Sequence, residues 1–142
     1  MGGVDWYEMF AFCVWDGGRL PTEAEWELAA AGGENSLYPW GNAAPDASVA
    51  VFGCSTSCLL PVGSKASGAN RRGIMDLGGS LWEYTLDVYS VNWFADPLAT
   101  CTDCANLTKP TTGGRVVRGG SWKAPGNDLR SGAPRLGYPE LA

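Results

Sequence analysis

The stretch Cys13-Val14-Trp15-Asp16-Gly17-Gly18-Arg19-Leu20-Pro21-Thr22-Glu23-Ala24-Glu25-Trp26-Glu27 carries the end of one helix and the start of the next. Pro21 blocks upstream extension of the second helix. Thr22 can accept from the amide of Glu25 while the Glu25 carboxylate reaches back to the amide of Thr22, the reciprocal arrangement of a capping box. Downstream, Trp26, Ala29 and Ala30 form an apolar stripe, and Gly32-Gly33 ends it. Upstream, Asp5 precedes Glu8 by three residues, and Trp6, Met9, Phe10 and Cys13 recur at helical spacing until Gly17-Gly18. The spacing predicts a helix over about residues 5 to 15, with Cys13 as a buried thiol on its apolar face.

Beyond Asn35 the periodicity disappears. Tyr38-Pro39-Trp40-Gly41-Asn42 reads as an aromatic turn. Ser48 to Phe52, Leu59 to Val62, Ile74 to Leu77, Leu81 to Thr85 and Arg115 to Arg118 are short strands or single extended crossings. Between Val91 and Thr112 runs a long connection carrying Cys101 and Cys104.

Composition narrows the chemistry. The chain has 142 residues, 10 Lys and Arg against 15 Asp and Glu, and a formal charge of -5, which fits one domain and disfavours nucleic acid or anionic membrane surfaces as partners. No stretch reaches the roughly 18 apolar residues needed for a membrane span. Histidine is absent, which removes Ser-His and Cys-His nucleophile pairs and every imidazole metal ligand. Glu23, Glu25 and Glu27 alternate around their helix and one serves the cap, so they make no catalytic pair. Gly63-Ser64-Lys65 lacks the preceding glycine of a phosphate loop.

The opening stretch, together with Tyr38-Pro39-Trp40-Gly41-Asn42, Pro61-Val62-Gly63-Ser64, Gly73-Ile74-Met75-Asp76-Leu77-Gly78-Gly79-Ser80-Leu81-Trp82-Glu83-Tyr84-Thr85, Arg118-Gly119-Gly120-Ser121-Trp122 and Leu129-Arg130-Ser131, resembles the formylglycine-generating-enzyme family, also called sulfatase-modifying-factor domains. Six such motifs in order make the resemblance specific. It implies an α+β, C-type-lectin-like fold in which two short N-terminal helices precede loop-rich short strands. It also implies a single partial domain over residues 1–142, lacking the family's opening stretch and closing strand.

In that family a cysteine pair shortly after the Gly-Gly-Ser-aromatic motif binds copper and activates oxygen, soft thiolates being what stabilises monovalent copper. Here Lys123 to Asp128 holds no thiol, and Ala124 and Leu129 stand nearest the pair's positions. The related sulfoxide synthases hold iron through histidines of another domain, which this chain lacks. The resemblance therefore leaves no catalytic residue to name and no copper to expect. It implies a non-catalytic binding or accessory module for a protein, a peptide or a small molecule. Trp82, Tyr84, Arg118 and Trp122 would line its groove, Arg118 and Arg130 being the motif arginines. Arg135 stands one place late for the second arginine of the Arg-Ser pattern.

The same resemblance places a structural calcium near Ser80 and Glu83, with Ser80 where the family has Asn. Asp76 instead suits side-chain bonding to nearby amides. Cys54, Cys58, Cys101 and Cys104 form either two disulfides or a tetrahedral zinc site. Disulfides would imply an oxidising, extracytoplasmic compartment. Intact thiols would leave room for an oxygen-dependent metal oxidoreductase with a relocated thiolate site. Asn106-Leu107-Thr108 is a glycosylation sequon in a secreted eukaryotic context and an ordinary turn elsewhere.

Overall fold

A computed structural model describes residues 4–91, 105–108 and 114–137. Helix α1 spans Trp6–Trp15 and α2 spans Glu23–Ala31; strands β1, β2 and β3 span Glu83–Val88, Arg115–Arg118 and Arg135–Gly137. They form an α+β chain with one three-stranded sheet in the order β1-β2-β3. The chain divides into two compact units, residues 1–25, 84–117 and 135–142 in the first and residues 26–83 and 118–134 in the second. Among the described residues no helix is long and apolar enough to cross a membrane.

In the first unit both predicted helix starts form as their sequences dictate. The Glu8 amide donates to Asp5 Oδ1 at 2.8 Å and the Asp5 amide to Glu8 Oε2 at 2.9 Å. The Glu25 amide donates to Thr22 Oγ1 at 3.1 Å and the Thr22 amide to Glu25 Oε2 at 2.7 Å. Each box satisfies two helix-terminal donors. Gly17, with φ of 84°, closes α1: its amide donates to the Val14 carbonyl and that of Gly18 to the Cys13 carbonyl, the paired bonds of a Schellman motif.

Only the first turn of α1 is sunk into the unit. Trp6 is buried and donates its indole N–H to the Thr85 carbonyl at 2.8 Å, with the Arg115 guanidinium 3.7 Å over its ring. Phe10 stacks on Trp6, but Trp15 is 80% exposed and Cys13 half-buried, so the expected fully buried Cys13 face is not formed. The apolar residues of α1 surround the whole helix, and one packed turn cannot cover them.

Of the expected strands, Arg115 to Arg118 forms as β2, and Leu81 to Thr85 slides forward to become β1. Ser48 to Phe52, Leu59 to Val62 and Ile74 to Leu77 are not strands, although Val51 makes an isolated parallel bridge with Gly79. β3 was not foreseen; it pairs antiparallel with β2 through Arg115 with Gly137, Val116 with Leu136 and Val117 with Arg135.

The second unit has two apolar clusters. Trp26, Ala30 and Leu77 form one, which bears out the α2 stripe for Trp26 and Ala30. Tyr38, Ala50 and Leu129 form the other, with Trp40, Val49 and Phe52 against it. The aromatic turn closes by paired backbone bonds between Tyr38 and Gly41, and the Tyr38 and Trp40 rings stack 5.2 Å apart.

Candidate functional site

The motif segments of the second unit are joined by backbone hydrogen bonds between single residues. The Gly79 amide donates to the Gly119 carbonyl at 2.7 Å, that of Ser80 to Val51 at 2.8 Å and that of Trp122 to Ser80 at 2.8 Å. The Gly53 amide donates to Ala124 at 3.0 Å and that of Cys54 to Trp122 at 2.9 Å. Residues 51–54, 79–80 and 119–124 thus lie side by side, far apart in sequence yet fixed by few bonds.

Arg118 ties this weave together. It has no exposed surface; Nη2 donates to the Ser131 carbonyl and lies 3.5 Å from Glu27 Oε2, and the guanidinium sits 4.5 Å over the Trp26 ring. An arginine so enclosed, in contact with Glu27, Trp26 and Ser131, holds loops of the second unit together. Trp82 and Trp122 are half-buried and Arg130 is exposed, all in the second unit. Tyr84 belongs to the first unit, where burial, and after it the charge of Asp5, raises its phenol above the usual range.

Ser80 and Asp76 adopt left-handed backbone, with φ of 61° and 63°. A non-Gly residue pays for that conformation, and Asn pays less than Ser. Asp76 Oδ2 accepts from the Gly63 amide at 2.6 Å, as its sequence context suggested. Glu83 Oε2 accepts from the Trp26 indole at 2.6 Å. Burial first, and then the Asp76 charge, raise the Glu83 carboxyl above its ordinary range. Among the described residues no group of three or more His, Cys, Asp or Glu side chains gathers to hold a metal.

Cys54 and Cys58 are joined by a disulfide, so neither offers a thiolate while it stands, and Cys101 and Cys104 lie outside the described residues. The free thiol among the described residues is Cys13, in the first unit. The loop after Trp122 provides no soft donor, and the residues present do not fit copper at the family position.

In the first unit a polar node went unnoticed in the sequence. Asp87, 1% exposed, accepts from the Glu23 amide at Oδ2 and from the Asn106 amide at Oδ1, both at 2.7 Å. Asn106 donates Nδ2 to the Val88 carbonyl, and its Oδ1 accepts from the Thr108 amide and hydroxyl. Asn106 is therefore a buried turn residue whose side-chain amide is engaged within the fold. β1 also carries Glu83 and Thr85, so Asp87 had no distinguishing local signal in the sequence.

Comparison with known proteins bears on the family and the fold. The chain is 37% identical over 130 residues to hercynine oxygenase of Mycolicibacterium smegmatis, covering 87% of this chain and 30% of that protein. It is 35% identical over 137 residues to formylglycine-generating enzyme of Thermomonospora curvata, covering 84% and 43%. It is 36% identical over 100 residues to inactive C-alpha-formylglycine-generating enzyme 2 of Mus musculus, covering 61% and 31%. PvdO from Pseudomonas aeruginosa shares the fold, with a TM-score of 0.78 at 22% identity, covering 99% of this chain and 56% of that one. The chain thus spans less than half the length of these curated relatives. Residues 1–140 match the sulfatase-modifying factor enzyme 1-like domain, and the chain belongs to that family.

Proposed function

We propose that this chain acts as a non-catalytic binding or accessory module of the family, on a C-type-lectin-like scaffold, for a protein, peptide or small-molecule partner. The observation that carries it is the absence of a thiol from Lys123 to Asp128, together with the Cys54–Cys58 disulfide. Relatives of both kinds, an oxygenase and a protein described as inactive, are compatible with the scaffold, so support for the reading comes from the donor set and not from the fold.

One observation favours a second reading, an oxygen-dependent oxidoreductase with a relocated thiolate site. The Cys54 amide bonds to the Trp122 carbonyl, so a reduced Cys54 and Cys58 pair would stand beside the family's Gly-Gly-Ser-aromatic motif. Reaching that state takes two electrons and two protons from an external thiol reductant. A sulfatase peptide incubated with copper, oxygen and the chain, oxidised or pre-reduced, tests both readings. No aldehyde in either form is expected. Aldehyde from the reduced form alone, lost in Cys54→Ser, would establish the second reading and sink the first.

Calcium near Ser80 and Glu83 belongs to the same proposal as a structural ion, since a cation would offset the opposition between the Glu83 and Asp76 charges. Melting in calcium should exceed melting in chelator, and Ser80→Asn should widen the gap. If Ser80→Asn stabilises equally in both conditions, the position answers to its left-handed backbone and the calcium assignment fails.

A further inference from the structure

We propose that the cavity beside the C-terminal half of α2 binds a small molecule carrying one carboxylate. It measures about 320 Å³, lies wholly within the second unit, and is lined in part by Glu27, Glu34, Asn35, Ser36, Arg130 and Ser131. Such a volume falls at the lower end of small-molecule sites.

Charge sets the ligand class. Glu27 faces the buried Arg118 guanidinium, and Glu34 is paired with Arg71. Both lining carboxylates are thereby balanced. Arg130 makes no ion pair or side-chain hydrogen bond among the described residues, which leaves one uncompensated cation at the cavity. A guanidinium presents two parallel N–H donors matched to a carboxylate. A phosphate dianion would call for a second free cation, and the lining provides none.

The second observation is independent of charge. Ser131 is 1% exposed, and its Oγ is buried with no hydrogen-bond partner. Buried hydroxyls are almost always partnered, because desolvation without a bond is costly. Its backbone is fixed, the amide donating to the Leu37 carbonyl at 2.9 Å. A hydroxyl in the lining of a cavity that is about equally polar and apolar, and without a hydrogen-bond partner, can donate to the second oxygen or a neighbouring carbonyl of a ligand bound at Arg130. Asn35 and Ser36 add donors and acceptors, so the preferred ligand is short and polar.

Titration of the full, isotopically labelled chain with N-acetylglycine, followed by amide NMR shifts, tests the assignment. N-acetylglycinamide and inorganic phosphate serve as neutral and dianionic controls. Saturable shifts at Ser36, Arg130 and Ser131 are expected with the carboxylate, and binding about tenfold weaker with the amide. Arg130→Gln should weaken N-acetylglycine by about tenfold and Arg130→Lys by less, both with unchanged melting because Arg130 is exposed. Ser131→Ala should weaken it by roughly threefold without loss of stability, as no internal bond is removed. Absence of saturation, equal binding of the neutral amide, tighter binding of phosphate, or indifference to Arg130→Gln would each overturn the proposal. None of these outcomes depends on whether the chain forms formylglycine.

Discussion

The two units are held by different means. The first relies on repeating geometry: two capping boxes, a Schellman closure, a sheet with residue-by-residue register, and a buried carboxylate whose partners are mostly backbone amides. The second relies on single contacts between loops, left-handed residues such as Asp76 and Ser80, and one buried arginine spanning Glu27, Trp26 and Ser131. Repeating structure spreads its free energy over many equivalent bonds. A loop weave concentrates it where two backbones touch.

Two glycines with nearly equal backbone angles put that contrast to the strongest test. Gly17 closes α1 at φ of 84°, and a β-carbon there would meet nothing within 4 Å. Gly79 has φ of 86°, but a β-carbon would press on the Val51 carbonyl oxygen and lie 3.1 Å from its carbonyl carbon. Gly17→Ala should therefore cost only the left-handed strain, about 1 kcal/mol. Gly79→Ala adds a backbone collision to the same strain and should cost more than about 3 kcal/mol, or prevent folding. Urea unfolding of both variants gives the comparison directly. Equal losses would mean that the weave yields as easily as a helix end, and the distinction between the units would fall.

The same contrast explains what was legible in the sequence. Capping boxes are local, so Asp5 with Glu8 and Thr22 with Glu25 could be read from spacing alone. Arg115 to Arg118 could be read as a strand, whereas β3 could not: three residues carry too little pattern, and Pro134 just ahead reads as a break. Ser48 to Phe52, a short segment between turn-forming residues, reads as a strand or a single extended crossing. Yet only Val51 forms a bridge among the described residues of that segment, since the Val49 and Ala50 amides turn back to the Asp46 carbonyl and the Val51 carbonyl accepts from the single distant amide of Ser80. The Arg118 and Arg130 motifs were visible as text through the family resemblance. Their opposite environments, one enclosed and one exposed beside a cavity, arise from tertiary packing and have no local signature. The unpartnered hydroxyl of Ser131 is invisible in sequence for the same reason.

A smaller effect sharpens the comparison through pH. In the first unit Glu25 accepts from Arg19 Nη1 at 2.6 Å and Nη2 at 2.5 Å, besides the Thr22 amide. Those partners, the Arg19 bond foremost, lower its carboxyl from 4.5 to about 2. A depressed folded value means that the unfolded chain takes up the proton first. The stabilisation is complete above the unfolded value near 4.5 and disappears as pH falls through about 2. Glu83, in the second unit, is displaced upward, chiefly by burial; its contribution has the opposite sign and favours folding more as pH falls through its raised folded value and then its unfolded one. Glu25→Ala removes a cap acceptor and a solvent-screened ion pair, and should cost about 1 kcal/mol at neutral pH. Below the folded value the cost should shrink to the residual neutral bond, so denaturant midpoints of wild type and variant should converge in strong acid. Glu83→Gln should diverge from wild type in the other direction, gaining at neutral pH the stability that the buried charge forfeits and losing that advantage in acid. Parallel behaviour of the two variants would show that both carboxylates share one solvent-like environment, contrary to an arginine-paired cap in one unit and a desolvated, indole-bound acid in the other.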